Sequence, residues 1–274
     1  MPARRVHTFQ YMGRWLAIGG LALAALGCTA RSEPEPASAK IDLDLVTQAR
    51  FDRAKNIVDG IDYLPYRYLF DGCTARALYM SMELAAEGIE SSAIFAYADS
   101  GSLRVRNASW GFHVAPMLVV GEDHEHAKRI VVDPSIDPAP LTEAQWIRRM
   151  GVGAEPGEPG YPRVFVVPGS DFWPADEAST LPNGDVADFA SLPAFHTIDI
   201  LEACNVAYKW IGREPDLSED GRDSKRSALV ARSAKLVARL RARGKIEDTL
   251  DATLDVARLE RECVGKPRYT GVDP

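Results

Sequence analysis

The chain has 274 residues, of which 46% are hydrophobic and 26% charged, and it carries a net charge of -7. That length suits one domain of good size with room for an appendage. An acidic balance of this kind speaks against a nucleic-acid partner.

Residues 1–27 carry Arg4, Arg5 and Arg14, then an apolar run from Trp15 to Leu26, then Gly27 before Cys28. A basic start, a short apolar core and a small residue before the cut describe a secretory signal peptide. The run is too short for a comfortable membrane span. Gly27-Cys28 points to the bacterial lipoprotein variant, in which Cys28 takes a lipid and becomes the new N-terminus. Ala25-Leu26 departs from the Leu-then-small order that this pattern prefers, and ordinary cleavage leaving a secreted protein is the alternative. Arg4-Arg5 also fits a twin-arginine signal, although two arginines are common in any basic start. Residues 28–40 are polar and Pro-rich after Cys28 and read as a flexible tether. The expected location is the bacterial cell envelope, lipid-anchored and facing the periplasm or the exterior.

Residues 42–59 read as a helix, with Leu45, Ala49 and Ile57 among its apolar positions and Gly60 after its end. "YLPYRYLF", Tyr63 to Phe70, is an aromatic lead-in in which Pro65 breaks any helix. Asp71 is placed to cap the next helix, from about Gly72 to Glu87, which ends at Gly88. On it Cys73, Ala77, Met80 and Leu84 share one face and Ala75, Leu78, Met82 and Ala85 another, so the helix is expected in the core. "SAIFAYA" (92–98), "GFHVAPMLVV" (111–120) and "RIVVD" (129–133) read as strands. The last two are joined by "GEDHEHAK" as a hairpin. No internal repeat is present. The basic end of the chain reads as a helical hairpin broken at Gly244, with Leu229, Leu236 and Leu240 facing Leu250 and Leu254. Its cationic run from Lys225 to Arg243 reads as a solvated face rather than a contact with anionic lipid.

A hairpin turning around residues 121–128 brings His113 and Asp133 to the same end of the sheet. A cysteine opening a buried helix, facing a histidine and an aspartate on adjacent strands, is a nucleophile, base and orienter. The positive end of the helix and a neighbouring imidazolium favour thiolate at Cys73. His113 then serves as base and later as acid, Asp133 fixes its tautomer, and the Cys73 backbone N–H can face an oxyanion. Cysteine usage agrees: with Cys28 lipidated, Cys204 and Cys263 are expected to pair, leaving Cys73 free. Asp137 is a weaker rival to Asp133. His124 and His126, with Asp123 or Glu125, offer metal ligands, but such a loop is more often simply solvated, so neither metal nor cofactor is expected. His196 has no motif around it.

Three ordered motifs, "DGCTARA", "WGFHVAP" and "VVDPS", resemble the bacterial protein-glutaminases (protein-glutamine deamidases), whose fold belongs to the transglutaminase and papain-like group. The resemblance runs from Tyr66 to Trp146, with Thr142 and Trp146 fitting as well, and continues loosely through "VFVVPGSDFWPAD" to "LEACN". It implies an α+β fold with a papain/transglutaminase-like core, a central helix on an antiparallel sheet, over residues 41–212; the C-terminal helical extension over 213–274 is read from its own residues and is not part of the motif region. The resemblance further implies that Cys73 is the nucleophile, His113 the general base and Asp133 the orienter, with Trp110 beside the site as a substrate-binding residue. The implied reaction turns glutamine side chains of proteins or peptides into glutamate with release of ammonia. Two departures stand out. Some relatives carry a long inhibitory pro-region, whereas only a short stretch separates Cys28 from the lead-in to Cys73, and relatives often have several disulfides, whereas this chain offers one at most. A transglutaminase or cysteine peptidase with the same triad, or a non-catalytic binding lipoprotein, are the other readings.

Overall fold

The computed structural model describes residues 45–99, 101–171, 194–247 and 255–265. The expected signal peptide, the candidate lipidation site Cys28 and the expected tether lie outside the described residues, as do Leu250 and Leu254.

The elements in chain order are β1 (Leu45–Val46), α1 (Gln48–Asp59), α2 (Cys73–Ala86), β2 (Ser92–Tyr97), β3 (Leu103–Val105), β4 (Ala108–Trp110), β5 (Phe112–Val120), β6 (Lys128–Val131), β7 (Leu141–Thr142), α3 (Glu143–Arg149), β8 (Arg163–Pro168), β9 (Phe195–His196), α4 (Thr197–Ile211), α5 (Glu219–Ala242), β10 (Ile246–Glu247) and α6 (Val256–Val264). The main sheet runs β7-β6-β5-β2-β8, antiparallel throughout, with β1 added parallel to β5. β3 and β4 form a separate antiparallel ribbon, and β9 pairs in parallel with β10.

Strand alternation divides the core between the two faces of the sheet. Ala93, Phe95, Val114 and Val167 lie against Cys73 and Ala77 of α2. Ile94, Ala96, Ala115, Met117 and Val166 turn the other way, toward Trp146, Ile147 and the β3–β4 ribbon. All fourteen side chains of α2 are buried, as its apolar character on most sides requires.

The first helix begins later than its pattern suggests. Leu45 and Val46 are used as a strand, in register with Val119 and Val120. Thr47 then caps α1 by accepting from the Arg50 N–H at 3.4 Å. Asp71 is not the cap of α2. That place is taken by Gly72, at φ 80°, and the Asp71 carboxylate accepts from the Gly72 N–H at 2.6 Å. At the other end Gly88, at φ 77°, closes α2 with its N–H on the Ala85 carbonyl.

The hairpin of β5 and β6 pairs Met117 with Val131, but the ladder stops there, two residues short of Asp133. Val132 donates to the Pro116 carbonyl at 3.0 Å, and Pro116 has no N–H to return. The chain is therefore released from the strand just before Asp133, which can turn toward the interior.

The C-terminal part shares the core of the rest. α5 is capped by Ser218 and ends at Gly244, at φ 68°. Leu229, Leu236 and Leu240 belong to the same buried cluster as Leu78, Met82 and Leu84 of α2 and Ile200, Leu201 and Ile211 of α4. Cys204 and Cys263 are joined in a disulfide that ties α4 to α6. Asn205 Nδ2 adds hydrogen bonds to the carbonyls of Glu262, Cys263 and Gly265, capping the end of α6.

Part of the basic face of α5 is turned inward rather than to solvent. Glu83, buried in α2, accepts from Tyr63 Oη at 2.8 Å and from Arg232 Nε and Nη2 at 2.6 and 2.8 Å. Arg239 bonds the Glu87 carboxylate and lies 3.7 Å from that of Glu83. Leaving a buried carboxylate short of its partner is costly. Arg232→Ala is expected to lower unfolding stability by about 2–3 kcal/mol, with Arg239 limiting the loss. Urea melts checking this should show Glu83→Gln, which removes the charge itself, less affected; equal stability of wild type and Arg232→Ala would contradict the reading.

Candidate active site

The approach to Cys73 is fixed from below by a buried arginine. Arg76, 2% exposed, points back over the first turn of α2. Its Nη1 donates to the carbonyls of Pro65, Tyr68 and Asp71 at 3.4, 2.9 and 2.9 Å. Glu214, also buried, accepts the Arg67 N–H at 2.9 Å and pairs with Lys225. The aromatic lead-in is thereby held at both ends of its turn. Tyr68 stacks on Trp210 at 4.6 Å between ring centroids. Trp210 comes so close to the turn that a Cβ at residue 72 would stand 2.7 Å from its Cδ1. Gly72 is needed there twice over, for its positive φ and for this approach.

Cys73 opens α2 as a free thiol, buried but at the edge of the core. The backbone N–H groups of this first turn have no intrahelical partner and carry the positive end of the helix dipole.

His113 sits on β5, opposite Ala96 of β2, and is 1% exposed. Its ring stacks on Trp110 at 4.5 Å with an angle of 13°, and Trp146 stands 5.6 Å away at a tilt of 32°. Trp110 is itself located by the hydrogen bond from its Nε1 to the Leu69 carbonyl, at 2.6 Å. The lead-in to the cysteine and the platform under the histidine are thus one connected piece.

Asp133 completes the cluster. Its Oδ2 lies 2.8 Å from His113 Nε2 and accepts from Trp146 Nε1 at 2.9 Å. Its Oδ1 accepts from Ser135 Oγ at 2.5 Å and from the Ser135 N–H at 3.2 Å. Burial alone would push this carboxyl up. The His113 charge and the hydrogen bonds from His113, Ser135 and Trp146 outweigh it and hold the group down at about 2. For His113, burial opposes the charged ring, yet the Asp133 carboxylate and then Cys73 raise it to about 9. Asp133 occupies Nε2, which leaves Nδ1 for the cysteine. That nitrogen is buried and makes no hydrogen bond.

The remaining candidates lie elsewhere. Asp137 pairs with Arg149 at 3.0 Å and accepts from the Ala139 N–H, so it is not the partner of the imidazole. His126 is exposed and bonded to Asp123 in the β5–β6 loop. Among the described residues no group of three or more His, Cys, Asp and Glu side chains is arranged to hold a metal ion. His196 is exposed at the start of α4, 3.8 Å from Glu247. Trp110 faces the imidazole, and Thr142 caps α3 in a capping box with Gln145, which sets Trp146 one turn further on. Sequence reasoning missed Ser135 and Arg76 as parts of the site. Asp-x-Ser is the signature of an Asx turn, and Arg76 is the one cation in an otherwise largely apolar helix, which was signal enough to look for its partners.

The geometry makes a direct prediction about charge. The ¹⁵N-detected titration of His113 should have its midpoint near 9. In Asp133→Asn, burial is left unopposed by the carboxylate and the midpoint should fall below the ordinary 6.5. Because the folded value lies above the unfolded one, the stability contributed by this charge is full below pH 6.5 and lost as pH rises through 9. A wild-type midpoint near 6.5 would show that the two side chains are not coupled.

Residues 45–150 match the model of a glutamine deamidase family described as "Glutaminase". Among solved structures the chain is similar to the protein-glutaminase of Chryseobacterium proteolyticum, at 20% identity over 60% of this chain and 88% of that one, with a TM-score of 0.44. It is similar also to a crystal structure of protein-glutaminase, at 18% identity over 65% of this chain and 98% of that one, with a TM-score of 0.46. No curated protein sequence matches. The family match supports a hydrolase that deamidates glutamine. The three motifs, with Cys73, His113 and Asp133, all lie inside the matched segment, 45–150, so the resemblance they carry agrees with the family match over that part of the chain.

Proposed function

We propose that this chain is a cysteine amidohydrolase of papain/transglutaminase type that deamidates glutamine side chains in proteins or peptides. It acts in the cell envelope, where Cys28 carries a lipid. The observation that supports it most is the buried Asp133–His113 pair at 2.8 Å, in a chain whose free cysteine opens a buried helix, within the segment that matches the family.

The Cys73 sulfur, as thiolate beside the imidazolium of His113, attacks the side-chain carbonyl carbon of glutamine. The negative charge formed on the oxygen faces the N–H groups of the first turn of α2. His113 gives its Nδ1 proton to the departing nitrogen, ammonia leaves, and a thioester joins Cys73 to the glutamyl group. A water, losing a proton to His113, attacks the thioester. The thiolate departs and glutamate is released. Asp133 keeps its charge throughout, with Ser135 and Trp146 holding it in place, and supports the imidazolium each time it forms. Trp110 fixes the ring from its face.

Ammonia release from a panel of glutamine-containing proteins and peptides tests the reading. Wild type should release it, and Cys73→Ala should be folded and inactive. Asp133→Asn should lose roughly two to four orders of magnitude in rate, as orienting carboxylates do elsewhere, whereas Asp137→Asn should remain near wild type. Formation of an isopeptide bond when an amine is supplied would make it a transglutaminase. If no amide or peptide bond is turned over and Cys73→Ala complements a deletion strain, the chain is a binding lipoprotein. The anchor is checked separately, by loss of membrane-bound protein in Cys28→Ser.

A further inference from the structure

Phe70 is 46% exposed, against a core in which few large apolar side chains reach the surface among the described residues. Scattered exposed apolar residues need no explanation, but the position of this one is set by the site on both sides. Leu69, just before it, gives its carbonyl to Trp110, whose ring lies on His113. Cys73, three residues after it, opens α2. Phe70 therefore stands on the short path between the platform of the imidazole and the nucleophile. It is also not loose: its ring lies 5.8 Å from that of Tyr68, which is stacked on Trp210, and the backbone on either side is held by Arg76 through Tyr68 and Asp71. An exposed ring held three residues before the nucleophile costs solvation in the free protein. The cost is recovered when another apolar group covers it. Next to it Asp71 presents an exposed carboxylate, bonded to the Gly72 N–H, which disfavours a negative charge at the same place.

We infer that Phe70 and Asp71 set the sequence preference of the enzyme: Phe70 contacts the side chain of a residue next to the target glutamine, so that an apolar neighbour is favoured and an acidic one rejected. The inference rests on the deamidase reading for its reaction, but its contact concerns only access to Cys73. The substrate class it names is a polypeptide whose glutamine adjoins a leucine-like side chain.

The test has two arms. In the first, blocked peptides with leucine, serine or glutamate before or after glutamine are compared by kcat/KM for ammonia release. Wild type should prefer leucine over serine about tenfold at one of the two positions, an ordinary size for an apolar contact in an enzyme site, and should disfavour glutamate. Phe70→Ser, an exposed change checked for folding by its melting temperature, should bring the leucine peptide down to the level of the serine peptide. Asp71→Asn should raise the glutamate peptide relative to the serine one. In the second arm, chloroacetamides carrying leucine or serine alkylate Cys73 directly, with no deamidation required. The leucine reagent should react faster with wild type and lose that advantage in Phe70→Ser. An undiminished leucine preference in Phe70→Ser in either arm, or its absence in wild-type alkylation, overturns the inference. Absence of ammonia release with the alkylation preference intact overturns the deamidase reading alone and upholds the contact.

Discussion

The buried pair of Asp133 and His113 constrains the structure around it. A carboxylate with no access to water must have its oxygens filled by donors, and here four arrive: the imidazole, an indole N–H, a hydroxyl and a backbone N–H. Each donor fixes another part of the chain. The indole requires α3 to lie beneath the sheet with Trp146 at its centre. The hydroxyl and the backbone N–H require the turn at Pro134 and Ser135. The imidazole requires β5 to present His113 at the end of the sheet where α2 begins. A second indole, Trp110, closes the ring from the opposite side and reaches back to the loop before the cysteine. The charges of the pair stabilise one another in a place where neither would survive alone.

Much of this was legible in the sequence because the chemistry and the periodicity agreed. The helix behind Cys73 is apolar on most sides, and its burial followed. The strands with His113 and Asp133 are short, β-branched and joined by a polar loop, so a hairpin and the meeting of the two side chains followed from register alone. Places where the reading erred were those where one residue could serve two structures. Leu45 and Val46 suit a helix or a strand, and only the free edge of β5 decides. Asp71 suits an N-cap, but Gly72 can take the left-handed conformation that brings Trp210 against the turn. β8 and the β3–β4 ribbon carry little periodic signal over so few residues, and β8 was noticed only as a continuation of the motif region.

Long-range partners were the least legible. Nothing local in α2 says that Glu83 is met by Arg232, or in α5 that its cations point inward, since pairs of this separation are visible only once the helices are packed. The same holds for Arg76, whose acceptors are backbone carbonyls and therefore leave no trace in residue types. By contrast the end of β6 could have been found: a proline at position 116 cannot return a hydrogen bond, and the first residue freed by that defect leads directly to Asp133.

The helix that carries Cys73 ends in a region covered by α4 and α5, both of which lie beyond residue 150, where the family match stops. Tyr79 bonds Ser233, and Glu83 is neutralised from α5. The part recognisable by family likeness is thus not a self-sufficient piece of protein. Its reactive half is built from residues 45–150 and finished by a later part of the chain that brings cations and leucines to the same helix. A shuffled or trimmed chain that retained all three motifs but lost α4 and α5 would still lack the wall on which they stand.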